Sequence, residues 1–169
     1  MKKNYFVIFL FVSIAFVFAF GCATTPGQTP EPGKGGAAMD ISSYNKQLTD
    51  HSIGGFAYKS SKLDTVKWDR WAAKAAPIVK DIIAKLPEGY ALQVTGHTDA
   101  SGPEEKEGGK PGNLKISTDR AKTVYDALKR ANINSPKMTY KGIGSEELIN
   151  GYDPRAAEQR RVSFKIVQK

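Results

Sequence analysis

The chain has 169 residues, 40% of them hydrophobic and 25% charged, which allows one modest core with appendages. Its formal charge is +8; removing an N-terminal segment that carries Lys2 and Lys3 leaves 8 − 2 = +6, and no basic block is interleaved with aromatics, so composition argues against nucleic acid. One cysteine, Cys22, excludes an intramolecular disulfide, and with His51 and His97 as the only histidines no zinc set has ligand spacing.

Lys2-Lys3 and the apolar run over residues 5–20 form the charged and hydrophobic regions of an export signal. The run falls slightly short of the roughly 20 residues of a bilayer span. Ala19-Phe20-Gly21-Cys22 resembles a bacterial lipobox, with small residues around the cut and a thiol free to take a diacylglyceryl group. Bulky Phe20 and the lack of Leu three residues before the cysteine make it a relaxed lipobox of the spirochaete kind. Two or three acyl chains on Cys22 would anchor the chain stably to a lipid bilayer. Ala23, rather than Asp, is compatible with sorting to an outer membrane.

The predicted organisation is a signal peptide over 1–21, lipidated Cys22 with a tether over 22–54, and a globular domain over 55–169. Pro26, Pro30, Pro32 and Gly35-Gly36 interrupt any apolar period in the tether. As a flexible coil its roughly 30 residues would reach about 30 Å. Residues 41–52 are ambiguous, with a short helix as one reading.

In the globular part, Phe56-Ala57-Tyr58 is predicted as the first strand. Trp68, Trp71, Ala72, Ala75, Val79, Ile82, Ile83 and Leu86 recur at helical spacing, with both tryptophans expected in the core. Pro77 lacks an amide donor and predicts a kink or a break there. Tyr90, Leu92 and Val94 alternate with Ala91, Gln93 and Thr95 as in a strand. Ser117 is read as the cap of a second helix whose apolar face is Ala121, Val124, Tyr125 and Leu128. Two more strands are expected over 138–143 and 162–166, with a short helix near Ala156. The order β-α-β-α-β-β predicts a two-layer α/β sandwich with a mixed four-stranded sheet and helices on one face.

Gly96-His97-Thr98-Asp99 places a carboxylate beyond a strand's carboxyl end, where ligands of open α/β layers collect. Asn113-x-x-Ile116-Ser117-x-x-Arg120 places a guanidinium in the first turn of the predicted helix, against the helix dipole, which favours an anionic partner. An acid and a base a ligand's width apart match a zwitterion, with the helix N-terminus assisting. That predicts binding rather than chemistry. His97 is expected to be a hydrogen-bonded structural histidine, since His97, Asp99 and Ser101 cannot reach one another as a triad requires. No cofactor, metal or catalytic residue is predicted.

These residues, with Lys141-Gly142-Ile143-Gly144 and Gln159-Arg160-Arg161-Val162-Ser163-Phe164, resemble the peptidoglycan-binding domain at the C-terminus of OmpA, in peptidoglycan-associated lipoprotein and in flagellar stator subunits. The resemblance covers about residues 56–167 and extends to spirochaete lipoproteins with this domain. It implies that Asp99 receives the ammonium of the stem-peptide diamino acid, diaminopimelate or ornithine, and Arg120 its carboxylate. Asn113 and Ser101 would add hydrogen bonds, and Arg160 would close the site. The implied function is a non-catalytic tie between outer membrane and cell wall, with the domain in the periplasm or at the surface. Departures from the family pattern are Ala57 where Asp is common, Lys59 at a polar neighbouring position, Gln159 in place of Asn, and a long charged loop over 101–112 that is either a gate or solvated.

A surface adhesin binding host extracellular matrix is the alternative function. A stator subunit is disfavoured because no Asp or Glu occurs over residues 4–21. A wall hydrolase would need paired carboxylates or a zinc set.

Overall fold

The computed structural model describes residues 40–169. The predicted export signal, the Cys22 lipidation site and the tether up to residue 39 lie outside the described residues. Asp40 opens α1 (Ile41–Thr49) by accepting from the Ser43 amide at 3.1 Å. There follow β1 (Ile53–Gly54), α2 (Thr65–Lys85), β2 (Tyr90–Gly96), α3 (Asn113–Arg130), β3 (Met138–Gly142), one 3-10 turn (Ala157–Gln159) and β4 (Arg161–Gln168).

The sheet order is β1-β4-β2-β3, with β2 parallel to β3 and antiparallel to β4. A parallel pair requires a crossover, and α3 supplies it between β2 and β3. Leu92 and Val94 of β2 and Val162, Phe164 and Ile166 of β4 share one core with Val79 and Ile82 of α2 and Val124 and Leu128 of α3. The predicted mixed four-stranded α/β architecture is the one found.

Four local expectations need correction. Phe56-Ala57-Tyr58 is not a strand; the first strand is the two-residue β1, and Phe56 is buried from an irregular segment. Residues 41–54 belong to the folded body, because Leu48 and Ile53 are buried in the core, so a domain boundary at 55 is too late. Of the kink or break expected at Pro77, the break is not found: helix α2 runs on through Pro77, since burial of Ala75, Val79, Ile82 and Ile83 outweighs one lost backbone donor. Helix α3 starts at Asn113 rather than after Ser117.

Trp68 and Trp71 are half-buried against the core, stacked at 5.1 Å, and Trp71 stacks on Phe164 at 5.2 Å. The Trp71 indole donates to the His51 carbonyl at 2.6 Å. Because β1 is so short, it covers little of the outer edge of β4. Farther along β4, the Asn45 amide donates to the Ile166 carbonyl and accepts from the Ile166 amide, as a strand partner would.

Two paired glycines seat α3. Gly96 and Gly142 face each other at the ends of β2 and β3. A Cβ on Gly96 would lie 1.9 Å from the Ser117 carbonyl oxygen, and one on Gly142 would lie 2.1 Å from the Thr118 amide nitrogen. The helix backbone therefore rests on the strand ends, and the Ser117 hydroxyl, inside the helix, accepts from the Gly144 amide at 2.9 Å. Gly96→Ala and Gly142→Ala are each expected to lower stability by about 2 kcal/mol or more in urea unfolding, because the nearest obstructing atom at each is backbone. Gly54→Ala, with nothing within 4 Å, should stay within about 0.5 kcal/mol. Equal small effects at all three positions would contradict this account of helix seating.

Candidate functional site

Asp99 follows the end of β2 in a segment fixed by main-chain bonds. The His97 amide donates to the Arg161 carbonyl, Thr98 to Gly144 and Ala100 to Pro154, at 2.8–2.9 Å. One Asp99 oxygen accepts from the Ser101 amide at 3.0 Å, and the other from Arg160 Nη1 at 2.8 Å. Burial raises the Asp99 pKa, but the bonds from Arg160 and Ser101 prevail and hold the carboxyl below its ordinary range.

Arg120 is 1% exposed and lies in the third turn of α3, beyond the strong field of the helix end, so the dipole argument does not apply to it. Its guanidinium donates to the carbonyls of Ser60 at 2.8 Å, His97 at 2.7 Å and Ala57 at 3.1 Å. Three of the five guanidinium N–H donors are thus used on main chain, leaving two. Burial, and then the Arg160 charge, lowers its pKa to about 10, so it remains a cation at neutral pH. Arg160 also donates to the Phe56 carbonyl at 2.9 Å. Between them the arginines hold the turn over residues 57–60, in which Lys59 has a left-handed φ of 54°.

Asp99, Ser101, Asn113 and Arg120 line one small cavity, roofed by Tyr58 and Lys59; Arg160 reaches it through Asp99. The cavity is only about 10 Å³, room for a single water. Sequence reasoning missed Tyr58 as a lining residue and also Thr98, whose buried hydroxyl finds no partner among the described residues. Its place one residue before Asp99 was the available signal. Arg120, Arg160 and Lys59 outnumber the carboxylates of Asp99 and of Glu104, which touches Asn113, so the local charge is positive.

The N-terminus of α3 is not free for an anion. The Asn113 amide donates to the Pro103 carbonyl at 2.9 Å and the Leu114 amide to the Glu104 carbonyl at 3.1 Å, so the loop caps the helix with its own backbone. The predicted share of the helix end in ligand binding therefore falls away.

The loop is also tied elsewhere. Glu104 accepts from the Asn113 side chain at 3.2 Å and from both the amide and the hydroxyl of Ser145. A Cβ on Gly144 would meet the Glu104 carboxylate. Glu107 and Lys110 pair their main chains across Gly108-Gly109, both with positive φ, as in a tight hairpin. This loop is neither loose nor merely solvated. Gln159, buried, bonds the backbone of Ile149 and Asp153 and so fixes the segment that carries Pro154.

His97 is fully buried, with Nε2 2.7 Å from the Ser163 hydroxyl, so its partner is on β4 and not Asp99 or Ser101. Burial and the Arg161 charge lower its pKa from 6.5 to about 3. Among the described residues, no three His, Cys, Asp or Glu side chains converge on a metal position. No helix among them is long and apolar enough to cross a membrane.

The chain matches the OmpA family over residues 69–161, more than half its length, and belongs to that family. Similar solved structures include the OmpA-like domain of FopA1 from Francisella tularensis, with 21% identity, covering 69% of this chain and 69% of that one at a TM-score of 0.51. The peptidoglycan-associated lipoprotein from Burkholderia pseudomallei has 21% identity, with coverage of 69% and 89% and a TM-score of 0.53. The C-terminal domain of MotB from Helicobacter pylori has 18% identity, with coverage of 70% and 84% and a TM-score of 0.51. At these identities they establish the fold. No curated protein matches the chain.

The depressed His97 pKa has a defined consequence for stability. Unfolded His97 takes a proton near pH 6.5 and folded His97 only near pH 3, so stability is complete above 6.5 and falls as pH drops through that window. Urea titrations between pH 7 and 4.5 should show a loss approaching about 1.4 kcal/mol per unit, from which His97→Gln is largely released. Identical slopes in both proteins would mean that the folded state protonates His97.

Proposed function

We propose that this chain binds peptidoglycan without catalysis, through the diamino acid of the stem peptide, and that acylated Cys22 ties the wall to the outer membrane. The observation that carries the reading is one cavity lined by a buried carboxylate and a buried guanidinium with two donors to spare. Asp99 retains lone pairs for an ammonium, and Arg120 can meet a carboxylate in a bidentate manner. Asn113 spends its amide donors on Gly102 and Glu104, which leaves its carbonyl oxygen to accept from the same ammonium. The Thr98 and Ser101 hydroxyls complete the set.

The excess of cations favours a ligand end that carries a carboxylate as well as an ammonium. Diaminopimelate has both at its far end, whereas ornithine has only the ammonium. Entry requires the exposed side chains of Tyr58 and Lys59 to move aside over a backbone that the arginines keep in place, because the cavity holds no more than a water as it stands. His97 supports the non-catalytic reading: buried and resistant to protonation, it cannot act as an acid-base group near neutrality. Similarity to a peptidoglycan-associated lipoprotein points the same way.

The test is co-sedimentation of the full chain, in mild detergent, with purified peptidoglycan sacculi. Alanine at Asp99 or Arg120 would strand buried partners, so the variants are Asp99→Asn and Arg120→Lys, which keep bulk. Binding should fall at least about tenfold in each, the scale of losing one charge-assisted contact. Free diaminopimelate should compete better than ornithine. Undiminished binding by both variants, each shown to be folded, would remove this site from the account.

A further inference from the structure

A groove of about 210 Å³ lies beside the cavity, lined on one side by Lys59 and on the other by Glu107 and Lys110 of the hairpin. Lys59, Ser101, Asn113 and Ile116 border both spaces, so the two adjoin. We propose that this groove is a second subsite, which receives the residue joined to the diamino acid and holds that residue's free carboxylate between Lys59 and Lys110. The inference rests on the binding reading above and extends it from one amino acid to a peptide.

Three properties of the groove support it. Its far wall is preformed, because the Glu107–Lys110 main-chain pair, the Glu104 bonds to Ser145 and the loop carbonyls on α3 fix the hairpin before any ligand arrives. Its floor and sides offer Pro103, Pro111 and Ile116, a shape and polarity suited to a small apolar side chain. Its charged residues are two lysines against one glutamate, so an anionic group is preferred over a cationic one. A peptide whose diamino acid end sits between Asp99 and Arg120 must leave by the mouth of that cavity. The groove adjoins it along the same four residues.

Length of loop therefore becomes specificity. The hairpin residues contribute nothing to the small cavity, and all their effect should appear on ligands longer than the free amino acid.

The experiment titrates the full chain with three probes: diaminopimelate alone, a peptide in which diaminopimelate is followed by one small apolar residue with a free carboxylate, and that peptide with its terminus amidated. Lys110 is exposed and its backbone bonds do not depend on its side chain, so Lys110→Glu leaves the fold intact. The acid peptide should bind the parent more tightly than the amide, by up to about fivefold, the upper end for an exposed ion pair. Lys110→Glu should abolish that preference and leave diaminopimelate alone unchanged. If diaminopimelate binds but acid and amide peptides bind the parent equally, or Lys110→Glu preserves their difference, the subsite is overturned. If diaminopimelate itself does not bind the parent, the reading of the cavity fails and the subsite fails with it.

Discussion

The contact of α3 with the ends of β2 and β3 is the constraint on which the rest depends. Gly96 and Gly142 remove the only atoms that would keep the helix away, so Ser117 and Thr118 approach the strands to backbone distance. The helix direction then fixes where Arg120 emerges, and the end of β2 fixes where Asp99 emerges. Local bonds then aim the side chains, from Ser101 and Arg160 to Asp99 and from Arg120 to three carbonyls. Because glycine gives up side-chain contacts, this seat is stabilised elsewhere, by the apolar faces of α2 and α3 over β2 and β4.

From that seat a set of main-chain bonds spreads outward. Arg120 gathers three carbonyls and Arg160 a fourth, while the loop over 101–112 turns two of its own carbonyls onto the start of α3. Burying a guanidinium is costly unless its donors are met, and here peptide oxygens meet most of them. The remaining donors and the single carboxylate of Asp99 define an opening with more positive than negative charge. The proposed binding function rests on that imbalance more than on the shape, since the space itself is nearly closed.

Much of this was legible in the residues. Alternation over 90–95 and the helical stripe over 68–86 marked β2 and α2, and Asp99 and Arg120 were marked by position and spacing. The misreadings have specific physical causes. A helix capped by carbonyls of a preceding loop carries no residue-type signature, so Ser117 looked like the start of α3 when Gly112 is the cap residue and Asn113 the first helical one. Phe56-Ala57-Tyr58 has strand-like composition, yet Phe56 is recruited to the core from an irregular segment whose carbonyls are claimed by arginines. The acidic run at 104–107 suggested a solvated loop, and nothing in its composition says that Glu104 turns inward to Ser145. Pro77 was over-weighted because one missing donor is small beside a buried helix face.

The arginines grip the 56–60 segment by peptide oxygens at Phe56, Ala57 and Ser60, and Arg120 also lies over the Phe56 ring at 5.4 Å. Phe56 apart, a hold of that kind is blind to what the side chains are. The outer border of the opening, Tyr58 and Lys59, can therefore change its residues while the backbone beneath keeps its course. New ligand preferences can thus evolve at the rim without putting the fold at risk.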